Sequence, residues 1–479
     1  MIQTLLEQPQ KLTQFAFTLK PQQQQAINKL RSFLTTTESF FLLCGYAGTG
    51  KSTIVFQIIQ ELLSQSKRIA LTAPTNKAVG ILRKMAASQG IFGVDFLTIH
   101  QLLGLGMVRK EQEKALSQTS SSSLHLYDII FLDECSMVGS ELWKWIERNF
   151  ERTFFNHRKL ILMGDPAQLN PVGDKKSPAF SITNKAVLTK VVRQAGESPV
   201  LDFITECRSF VNSKADIFLP HSKYKKGDKS NGAFKVKSET LLQYAVKTID
   251  LEFSQNPDRF RILCWTNKRV RYYNQLIREQ VYGQAAPRFV PGERLITKKP
   301  VMAPDGKTVI LPTSTEFTVK EVEINQHGGY RVWLLKIVTD DGLFRQIFVL
   351  HESENKRYQA ELKEKLKSAK RNGFLWRKYY WFKDDLFAEI DNCFALTIHN
   401  SQGSTFDEVG IDGSDLFSRL LIGKDLSRQQ KLKEYHRLYY VGASRCRYRI
   451  LFVAPNDSYS NNKLLNQEVK SSTKRHIRL

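Results

Sequence analysis

Residues 45–52 read Gly45-Tyr46-Ala47-Gly48-Thr49-Gly50-Lys51-Ser52, a complete G-x-x-x-x-G-K-S segment. An apolar run at residues 40–44 comes directly before it, and apolar residues at helical spacing follow it as far as Leu63. A strand, a glycine-rich loop and a helix in this order are the context in which such a segment binds phosphate. The segment therefore predicts an α/β fold of the phosphate-loop class.

Each part of this loop has an expected role in binding ATP and Mg²⁺. Glycines let backbone N–H groups close around a polyphosphate, and the helix N-terminus adds a favourable dipole. Lys51 is expected to reach the β- and γ-phosphates, and Ser52 to ligate the metal. The residues assigned to the nucleotide here are Gly45, Ala47, Gly48, Thr49, Gly50, Lys51, Ser52 and Thr53.

The composition bounds the partners and the compartment. A chain of 479 residues with a net charge of +24 is long enough for two to four domains and favours a polyanionic partner, usually nucleic acid. We find no long apolar run, signal peptide or lipidation motif, so no membrane partner is expected. The six cysteines lack C-x-x-C spacing, which argues against a zinc or iron–sulfur site. Reduced thiols in the cytoplasm are expected instead.

The chain contains a weak internal repeat. The strand at residues 69–73 is followed by Pro-Thr-Asn-Lys, and the similar strand at residues 261–265 is followed by Thr-Asn-Lys. Leu-Thr-Ile-His occurs at residues 97–100 and again at residues 396–399. Because both pairs occur in the same order, they suggest two related α/β lobes, although matches this short also arise by coincidence.

The spacing of the repeat predicts an inserted domain. Thr98 follows Thr75 by 23 residues, whereas Thr397 follows Thr266 by 131 residues, an excess of 108. Short β-type runs with turn signals between residues 290 and 350 suggest that the excess includes a small all-β barrel. The charged stretch at residues 352–371 has a narrow apolar stripe, which predicts an exposed helical arm.

Three further segments carry expectations. The polar stretch at residues 104–123 is either a disordered loop or a small surface hairpin. Residues 376–383 mix aromatic and basic side chains, so they are either a base-stacking surface or, as we favour, a strand of the inserted barrel with its aromatics in the core. The polar, basic tail beyond residue 461 is expected to be flexible.

Polar side chains at two later strand ends suit ATP hydrolysis. Asp133 and Glu134 follow the apolar strand at residues 128–132. A phosphate-loop fold has its second Mg²⁺ contact at such an Asp, and the adjacent Glu can orient and deprotonate the attacking water. Gln168 follows the strand at residues 159–163, and its amide can sense the γ-phosphate. A solvated loop end and a plain turn are the respective structural alternatives.

Two arginines are candidates for neutralising charge in the transition state. Arg193 lies in Val-Val-Arg-Gln, and Arg445 ends the run Tyr-Val-Gly-Ala-Ser-Arg before a strand. Arg445 belongs to the second lobe, so it would act across the cleft as an arginine finger in cis. In a chain with 71 basic residues a lone Arg is usually a surface charge, so the motif context carries this assignment.

These segments together resemble the motif set of superfamily 1 helicases, in the RecD/Dda-like branch. The resemblance covers nearly the whole chain, and it is specific because the full set occurs in order. The matching segments are Gln23 within residues 19–26 (the adenine-reading glutamine motif), residues 45–52 (motif I), 73–78 (Ia), 98–100 (Ib), 133–137 (II), 164–169 (III), 192–194 (IV), 397–406 (V) and 440–445 (VI).

The resemblance implies an architecture. It implies two RecA-like P-loop lobes with ATP between them, single-stranded DNA across their top, and an SH3-like β-barrel inserted in the second lobe. The expected domains are a RecA-like lobe 1 at residues 1–192 with a small insertion at 104–123, a RecA-like lobe 2 at 193–288 plus 392–460, the inserted SH3-like domain with its helical arm at 289–391, and the basic tail at 461–479. It also implies a strand-separating pin in the 104–123 segment.

Short polar residues at the strand ends of both lobes are assigned to single-stranded DNA. They are Pro74, Thr75, Asn76, Thr98, His100, Thr266, Asn267, Thr397, His399 and Asn400. Gln402 and Gly403 are assigned to the nucleotide. The family usually has Lys or Arg before Ser-Gln-Gly, whereas this chain has Asn400, so a phosphate contact there is neutral. For the histidines, a structural hydrogen bond within the lobe is the alternative.

The leading hypothesis is a monomeric ATP-dependent DNA helicase that uses ATP and Mg²⁺. It is expected to act on single-stranded DNA and on duplex/single-strand junctions, and the family resemblance implies 5′→3′ polarity. A single-strand translocase or an RNA helicase remains open, because phosphate contacts do not distinguish sugars. A non-catalytic nucleic-acid-binding scaffold is the alternative of another class. Lys51, Asp133, Glu134 and Arg445 argue against it.

Overall fold

The computed structural model describes residues 19–110, 113–151, 158–171, 173–191, 198–212, 216–249, 253, 256–303, 308–422 and 426–455. Within them the chain forms two largely parallel sheets flanked by helices, one five-stranded antiparallel sheet and two antiparallel strand pairs, β13-β14 and β4-β5. The α/β class expected from the phosphate-loop segment is therefore confirmed. The expected tail at residues 461–479 lies outside the described residues.

The first lobe is built on a six-stranded parallel sheet in the order β3-β2-β6-β7-β1-β8. Its strands and those of the hairpin are β1 (Phe40–Gly45), β2 (Ile69–Ala73), β3 (Asp95–Thr98), β4 (Leu105–Lys110), β5 (Glu113–Gln118), β6 (Ile129–Leu132), β7 (Lys159–Gly164) and β8 (Lys185–Leu188). Its helices are α1 (Pro21–Leu34), α2 (Lys51–Ser64), α3 (Asn76–Ser88), α4 (Ile99–Leu102) and α5 (Ser140–Glu151). The central strands are continuous apolar runs because helices cover both faces of the sheet.

The remaining elements run from residue 199 to residue 453. The helices are α6 (Pro199–Asn212), α7 (Ser238–Thr248), α8 (Asn267–Tyr282), α9 (Asn355–Arg371), α10 (Trp376–Tyr380), α11 (Gly413–Phe417) and α12 (Arg428–Ser444). The strands are β9 (Lys223–Tyr224), β10 (Gly232–Val236), β11 (Phe260–Cys264), β12 (Arg294–Thr297), β13 (Val301–Met302), β14 (Val309–Leu311), β15 (Glu316–His327), β16 (Tyr330–Thr339), β17 (Phe344–Leu350), β18 (Ile390–Asn392), β19 (Ala395–Thr397), β20 (Phe406–Asp412) and β21 (Cys446–Val453).

The second lobe has a sheet in the order β19-β11-β20-β21-β10-β9, in which only the β9–β10 pairing is antiparallel. Helix α12 lies at the centre of this lobe, and all ten of its residues from Tyr435 to Ser444 are buried. Such burial explains why the helix shows little amphipathic pattern in the sequence. It also fixes the residues at its C-terminal end, which include the predicted arginine finger.

The internal repeat corresponds to equivalent positions in the two sheets. Ala73 pairs with Thr98 at the end of β2 and β3, and Cys264 pairs with Thr397 at the end of β11 and β19. In both lobes a threonine caps the helix that follows the first of these strands, Thr75 for α3 and Thr266 for α8. The four threonines of the repeat therefore lie at the carboxyl edges of the two parallel sheets, where phosphate-loop folds bind ligands. They are Thr75, Thr98, Thr266 and Thr397.

The segment between the repeats contains a five-stranded antiparallel sheet in the order β17-β16-β15-β12-β18. Helix α9 is mostly exposed, as expected for the arm, with only Ala369 fully buried. The strand prediction for residues 376–383 is wrong, because these residues form α10 and a π-helix at Trp381–Asp385. Aromatic rings recur there at helical spacing, so Tyr379 and Phe382 are buried while Trp381 is exposed.

Two other expectations about the chain are settled by the structure. Residues 105–110 and 113–118 pair as two antiparallel strands, which agrees with the hairpin alternative for the 104–123 segment rather than with a disordered loop. All six cysteines are buried and unpaired, as predicted. Among the described residues, every helix is too short or too polar to cross a bilayer.

Candidate nucleotide and nucleic-acid site

The phosphate loop joins the end of β1 to the start of α2. Gly48 and Gly50 have φ values of 78° and 82°, a left-handed conformation that glycine adopts without a Cβ clash. A Cβ on Gly50 would lie 2.2 Å from Nε2 of Gln23, so the loop also needs glycine there for space. Nζ of Lys51 donates to the carbonyls of Gly45 and Tyr46, at 2.6 and 3.1 Å. The cation is thus held inside the loop, where it would meet a polyphosphate.

Gln23, assigned to adenine, lies behind the loop. Its amide nitrogen donates to the Thr49 carbonyl at 3.4 Å, and its amide oxygen accepts from Lys20 N–H at 3.0 Å. The side chain is 3 % exposed. Gln23 therefore connects the N-terminus of α1 to the phosphate loop through both ends of its amide.

Two partly buried carboxyls, Asp133 and Glu134, follow strand β6 beside the loop. Burial raises the pKa of Asp133, while the charges of Lys51 and Arg445 lower it. Burial, together with the neighbouring Asp133, raises the pKa of Glu134 to about 7. Glu134 has φ 53°, an unfavourable conformation for a residue other than glycine, and such strain is typical of functional positions. A carboxyl with this pKa is suited to accept a proton from water near neutral pH.

The candidate magnesium ligands are Ser52, in the first turn of α2, and Asp133, at the end of β6. Mg²⁺ in nucleotide sites takes one or two protein oxygens together with phosphate oxygens and water. The described residues contain no cluster of three or more His, Cys, Asp and Glu side chains that would hold a metal by itself. The donor set therefore fits a metal that binds together with the nucleotide.

Gln168 is buried where β7 ends, close to both carboxyls. Its side-chain oxygen accepts from the Ser136 hydroxyl at 2.9 Å, which ties the segment after β7 to the segment after β6. Nearby, Asp165 accepts from the Ala47 N–H of the phosphate loop at 3.1 Å. Gln168 thus connects to the segment after β6, and Asp165 connects to the phosphate loop.

Helix α12 of the second lobe reaches this network. The Tyr440 hydroxyl donates to the Asp165 carboxylate, and Arg437 donates to the backbone carbonyl of Gln168. Neither residue was assigned a role from the sequence. A Tyr and an Arg on a buried helix have the pattern of ordinary core residues, and only the structure shows that they contact the opposite lobe.

Arg445, at the C-terminus of α12, comes from the second lobe and faces the carboxyl pair. Its charge lowers the pKa of both Asp133 and Glu134. Its guanidinium is 6 % exposed and donates to the Ser404 carbonyl at 3.4 Å. The charges of Arg445 and Lys51 therefore act on the same two carboxyls, and the role of Arg445 as an arginine finger stays a prediction. The other candidate, Arg193, lies outside the described residues.

Gln402 and Gly403 lie where the two lobes meet. Gly403 has φ 76°, and a Cβ there would approach Cβ of Ala78 in the first lobe to 3.3 Å. The buried amide nitrogen of Gln402 and the buried hydroxyl of Ser404 have no hydrogen-bond partner within the protein part that the structure describes. Because buried polar groups are normally paired, both are available to a ligand.

The nucleic-acid candidates lie at the carboxyl edges of the two sheets. Thr75 and Thr266 accept from the third N–H of the following helix, at 3.3 and 3.2 Å, so each hydroxyl already caps a helix. Burial lowers the pKa of His100 and of His399, so both are neutral at pH 7 and bring no positive charge to a phosphate. The remaining candidates at these edges are Pro74, Asn76, Thr98, Asn267, Thr397 and Asn400.

A cleft of about 220 Å³ brings three of these candidates next to the inserted sheet. Asn267, Thr397 and Asn400 line it on the second-lobe side, and Lys298 and Ser314 line it on the other. The cleft is mostly polar and contains one lysine, so it can take a phosphate and sugar of a nucleic-acid strand. The sequence analysis did not identify Lys298.

The chain is similar in sequence to several known proteins. The AAA domain family pattern matches residues 23–174, which contain the phosphate loop and both carboxyls. The ATP-dependent DNA helicase Dda of Enterobacteria phage T4 is 25 % identical over 463 residues, covering 90 % of this chain and 98 % of its own. The RecD subunit of the RecBCD enzyme from Buchnera aphidicola (subspecies Acyrthosiphon pisum) is 32 % identical over 169 residues, covering 32 % of this chain and 26 % of its own.

These relatives agree with the resemblance of the chain to the RecD/Dda-like branch of superfamily 1 helicases. A solved structure of Pif1 helicase from Bacteroides with ADP-AlF3 and single-stranded DNA has a TM-score of 0.47 and 18 % identity, with 93 % of this chain and 96 % of that chain covered. In the described part of the chain, the motif residues assigned from the sequence lie around the junction of the two lobes or at the sheet edges beside it.

Proposed function

We propose that this protein is an ATP-dependent DNA helicase that moves along single-stranded DNA in the 5′→3′ direction and couples ATP hydrolysis to duplex unwinding. The observation that carries the proposal is that helix α12 of the second lobe meets the first lobe beside the phosphate loop. Tyr440 donates to the Asp165 carboxylate, and the charges of Lys51 and Arg445 both act on Asp133 and Glu134. A nucleotide in this cleft would contact both lobes. Hydrolysis would therefore change the attraction between them, as a motor requires.

Each residue of the cleft has a role in this proposal. Lys51 and Arg445 neutralise the charge that develops on the transferred phosphoryl group, and Glu134 accepts the proton of the attacking water. Ser52 and Asp133 would hold Mg²⁺, which neutralises the β- and γ-phosphate oxygens. Gln168 connects the γ-phosphate position to helix α12 through Arg437.

The nucleic-acid assignment rests on charge and on the repeat. The chain carries a net charge of +24, and each lobe presents the same Thr-Ile-His segment at its carboxyl edge. Two equivalent anchors on lobes that move relative to each other would step along a strand. Dda, named as a DNA helicase, matches nearly end to end, which supports DNA as the polymer and the proposed polarity.

A strand-displacement assay with tailed duplexes tests the proposal. Substrates with a 5′ or a 3′ overhang are prepared in DNA and in RNA, and the Lys51→Ala variant is the hydrolysis-deficient control. We expect ATP-dependent displacement of the 5′-tailed DNA substrate and none with Lys51→Ala, which should still bind DNA.

Each other result has a defined meaning. Displacement from 3′ tails alone would contradict the proposed 5′→3′ polarity, and a preference for RNA would contradict the proposal that DNA is the substrate. DNA-stimulated hydrolysis without displacement would indicate a translocase, and hydrolysis that DNA does not stimulate would indicate a non-motor role.

We further propose that the protein acts as a cytoplasmic monomer at duplex/single-strand junctions, and that the inserted sheet is of the SH3-like class.

A further inference from the structure

The arm of the inserted domain carries a second concentration of basic and aromatic side chains. The 19 residues from Lys365 to Lys383 contain seven Lys or Arg and no Asp or Glu. They form the end of α9, a tight turn, α10 and the start of the π-helix. We call residues 370–381 the arm apex.

The arm packs at the end of strand β15 that is opposite the lobe junction. Strand β15 begins at Glu316, which contacts the first lobe, and runs for 12 residues to His327. At about 3.3 Å per residue, the strand spans at most about 35 Å. The arm begins at that far end, because Arg357 donates to the Gly329 carbonyl just beyond β15.

The two helical segments of the arm run in opposite directions. Phe382 packs on Tyr358 with ring centroids 4.9 Å apart, and the Lys365 ammonium lies 4.7 Å from the Phe382 ring. The chain therefore returns along α9, and the arm apex projects beyond this contact. The buried rings hold the hairpin together, so the remaining rings of the arm apex are not needed for its core.

Those remaining rings are presented to solvent beside unpaired cations. Phe374 is 94 % exposed and Trp381 is 43 % exposed, although apolar rings of this size are normally covered. Trp376 and Tyr380 stack on each other, at 5.6 Å and 24°. The basic residues without an ion-pair partner among the described residues are Lys370, Arg371, Arg377 and Lys378, and all are exposed.

We infer that the arm apex is a second binding surface for single-stranded nucleic acid, separate from the edges of the two lobes. Exposed aromatic rings stack on bases, and unpaired cations contact phosphates, which is the combination used by proteins that bind single strands without sequence preference. The absence of carboxylates across 19 residues suits a polyanion. A strand held at both places would stay bound while the lobes release it during the ATP cycle.

Two double variants of the full-length protein test this inference. Phe374→Ala/Trp381→Ala removes stacking, and Arg377→Gln/Lys378→Gln removes two charges. Lys356→Gln/Lys363→Gln, on the exposed face of the same arm, is the matched control for charge. Binding is measured by fluorescence anisotropy with labelled dT oligomers of about 8 and about 40 nucleotides, since single-strand sites span about 4–16 nucleotides.

We expect both arm-apex variants to bind the long oligomer about tenfold more weakly, in line with the cost of losing a stacked base. Arg377→Gln/Lys378→Gln should also reduce the slope of log K against log salt by about 1.4, or about 0.7 per phosphate contact. ATP hydrolysis stimulated by the short oligomer should remain unchanged, because the lobes are intact.

Arm-apex variants that bind the long oligomer as well as the control variant does would overturn the inference. Capture of a poly-glutamate peptide by the wild type but not by the variants, with DNA binding unchanged, would assign the surface to an acidic protein instead. A wild-type protein that neither binds DNA nor is stimulated by it would contradict the proposed function, and that outcome is distinct from both.

Discussion

The hydroxyl of Tyr440, on helix α12 of the second lobe, donates a hydrogen bond to the Asp165 carboxylate at the end of β7 in the first lobe. The same carboxylate accepts from the N–H of Ala47 in the phosphate loop. Asp165 therefore lies between the nucleotide cradle and the opposite lobe. A change in the phosphate loop can reach the second lobe through one side chain.

Tyr440→Phe removes this hydroxyl and keeps the ring. We expect DNA-stimulated ATP hydrolysis to fall about tenfold, equivalent to roughly 1.5 kcal/mol for a lost hydrogen bond to a charged group. The melting temperature should change little, because the ring still fills the core. Tyr448→Phe, at a position that is 47 % exposed on β21, is the control. Full activity in Tyr440→Phe would show that the lobes are coupled elsewhere.

Glu134→Gln keeps the size of the side chain but removes its ability to accept a proton. We expect the rate of ATP hydrolysis to fall by about 10²-fold or more, as for loss of a general base, while binding of a fluorescent ATP analogue is retained. Glu364→Gln, whose side chain is 70 % exposed on the arm, serves as the matched substitution. Normal turnover in Glu134→Gln would exclude this residue as the base.

Glu316 joins three parts of the molecule. Its buried carboxylate pairs with Lys77 of the first lobe at 2.9 Å, with Arg261 of the second at 2.7 Å and with Arg294 of the inserted sheet at 3.1 Å. These three cations hold the pKa of Glu316 well below its ordinary value despite burial. Arg261 itself is fully buried.

Glu316→Gln should therefore be far more destabilising than Lys77→Ala. The first leaves a buried guanidinium uncompensated, a loss of about 3–5 kcal/mol in the free energy of unfolding, whereas the second leaves Glu316 paired with two arginines. Lys336→Ala, which breaks exposed pairs with Glu321 and Glu323, should change the stability least of the three. Chemical denaturation measures all three. Equal losses for Glu316→Gln and Lys77→Ala would contradict this account of the junction.

His436 makes the second lobe sensitive to acid. Burial lowers its pKa to about 4, and its Nε2 accepts from the Phe218 N–H. The unfolded chain takes up a proton near pH 6.5 and the folded chain does not, so the free energy of unfolding falls as pH drops from about 6.5 to about 4. The contribution reaches about 3 kcal/mol at the acid end.

His436→Gln keeps a hydrogen-bond acceptor and removes the titration. We expect its stability to decline less steeply than that of the wild type between these pH values, measured by denaturant unfolding at each pH. Parallel profiles for the two proteins would mean that another group accounts for the acid sensitivity.

The hairpin of β4 and β5 tests the implied pin. Its base is anchored, since Leu105 and Leu116 are buried and the Leu116 N–H donates to Glu141 at 3.0 Å. Replacing residues 109–114 by Asn-Gly should shorten the hairpin and keep this base. We expect unwinding of tailed duplexes to fall several-fold more than movement along single strands, measured by streptavidin displacement. An equal loss in both assays would exclude a specific role of the hairpin in strand separation.

Much of the site was predictable because its parts are local in sequence. The phosphate loop, the carboxyls after β6 and the duplicated Thr-Ile-His each depend on a strand that ends next to a polar residue, and this pattern is visible without a structure. The spacing of the repeat predicted additional structure before Thr397, and a five-stranded antiparallel sheet lies there. The helix at residues 376–383 was not, because aromatic residues favour strands by propensity and only packing against α9 decided otherwise.

The sequence by itself determined which residues meet the nucleotide within the first lobe, since short-range chain geometry places a strand end, a glycine loop and a helix start together. Only the tertiary structure decided that Tyr440 and Arg437 reach the first lobe, because contacts between residues 393 and 269 positions apart leave no local pattern, whereas Arg445 was assigned from its motif. It also decided that the arm keeps some rings in its core and presents others to solvent, since burial depends on what packs against each face.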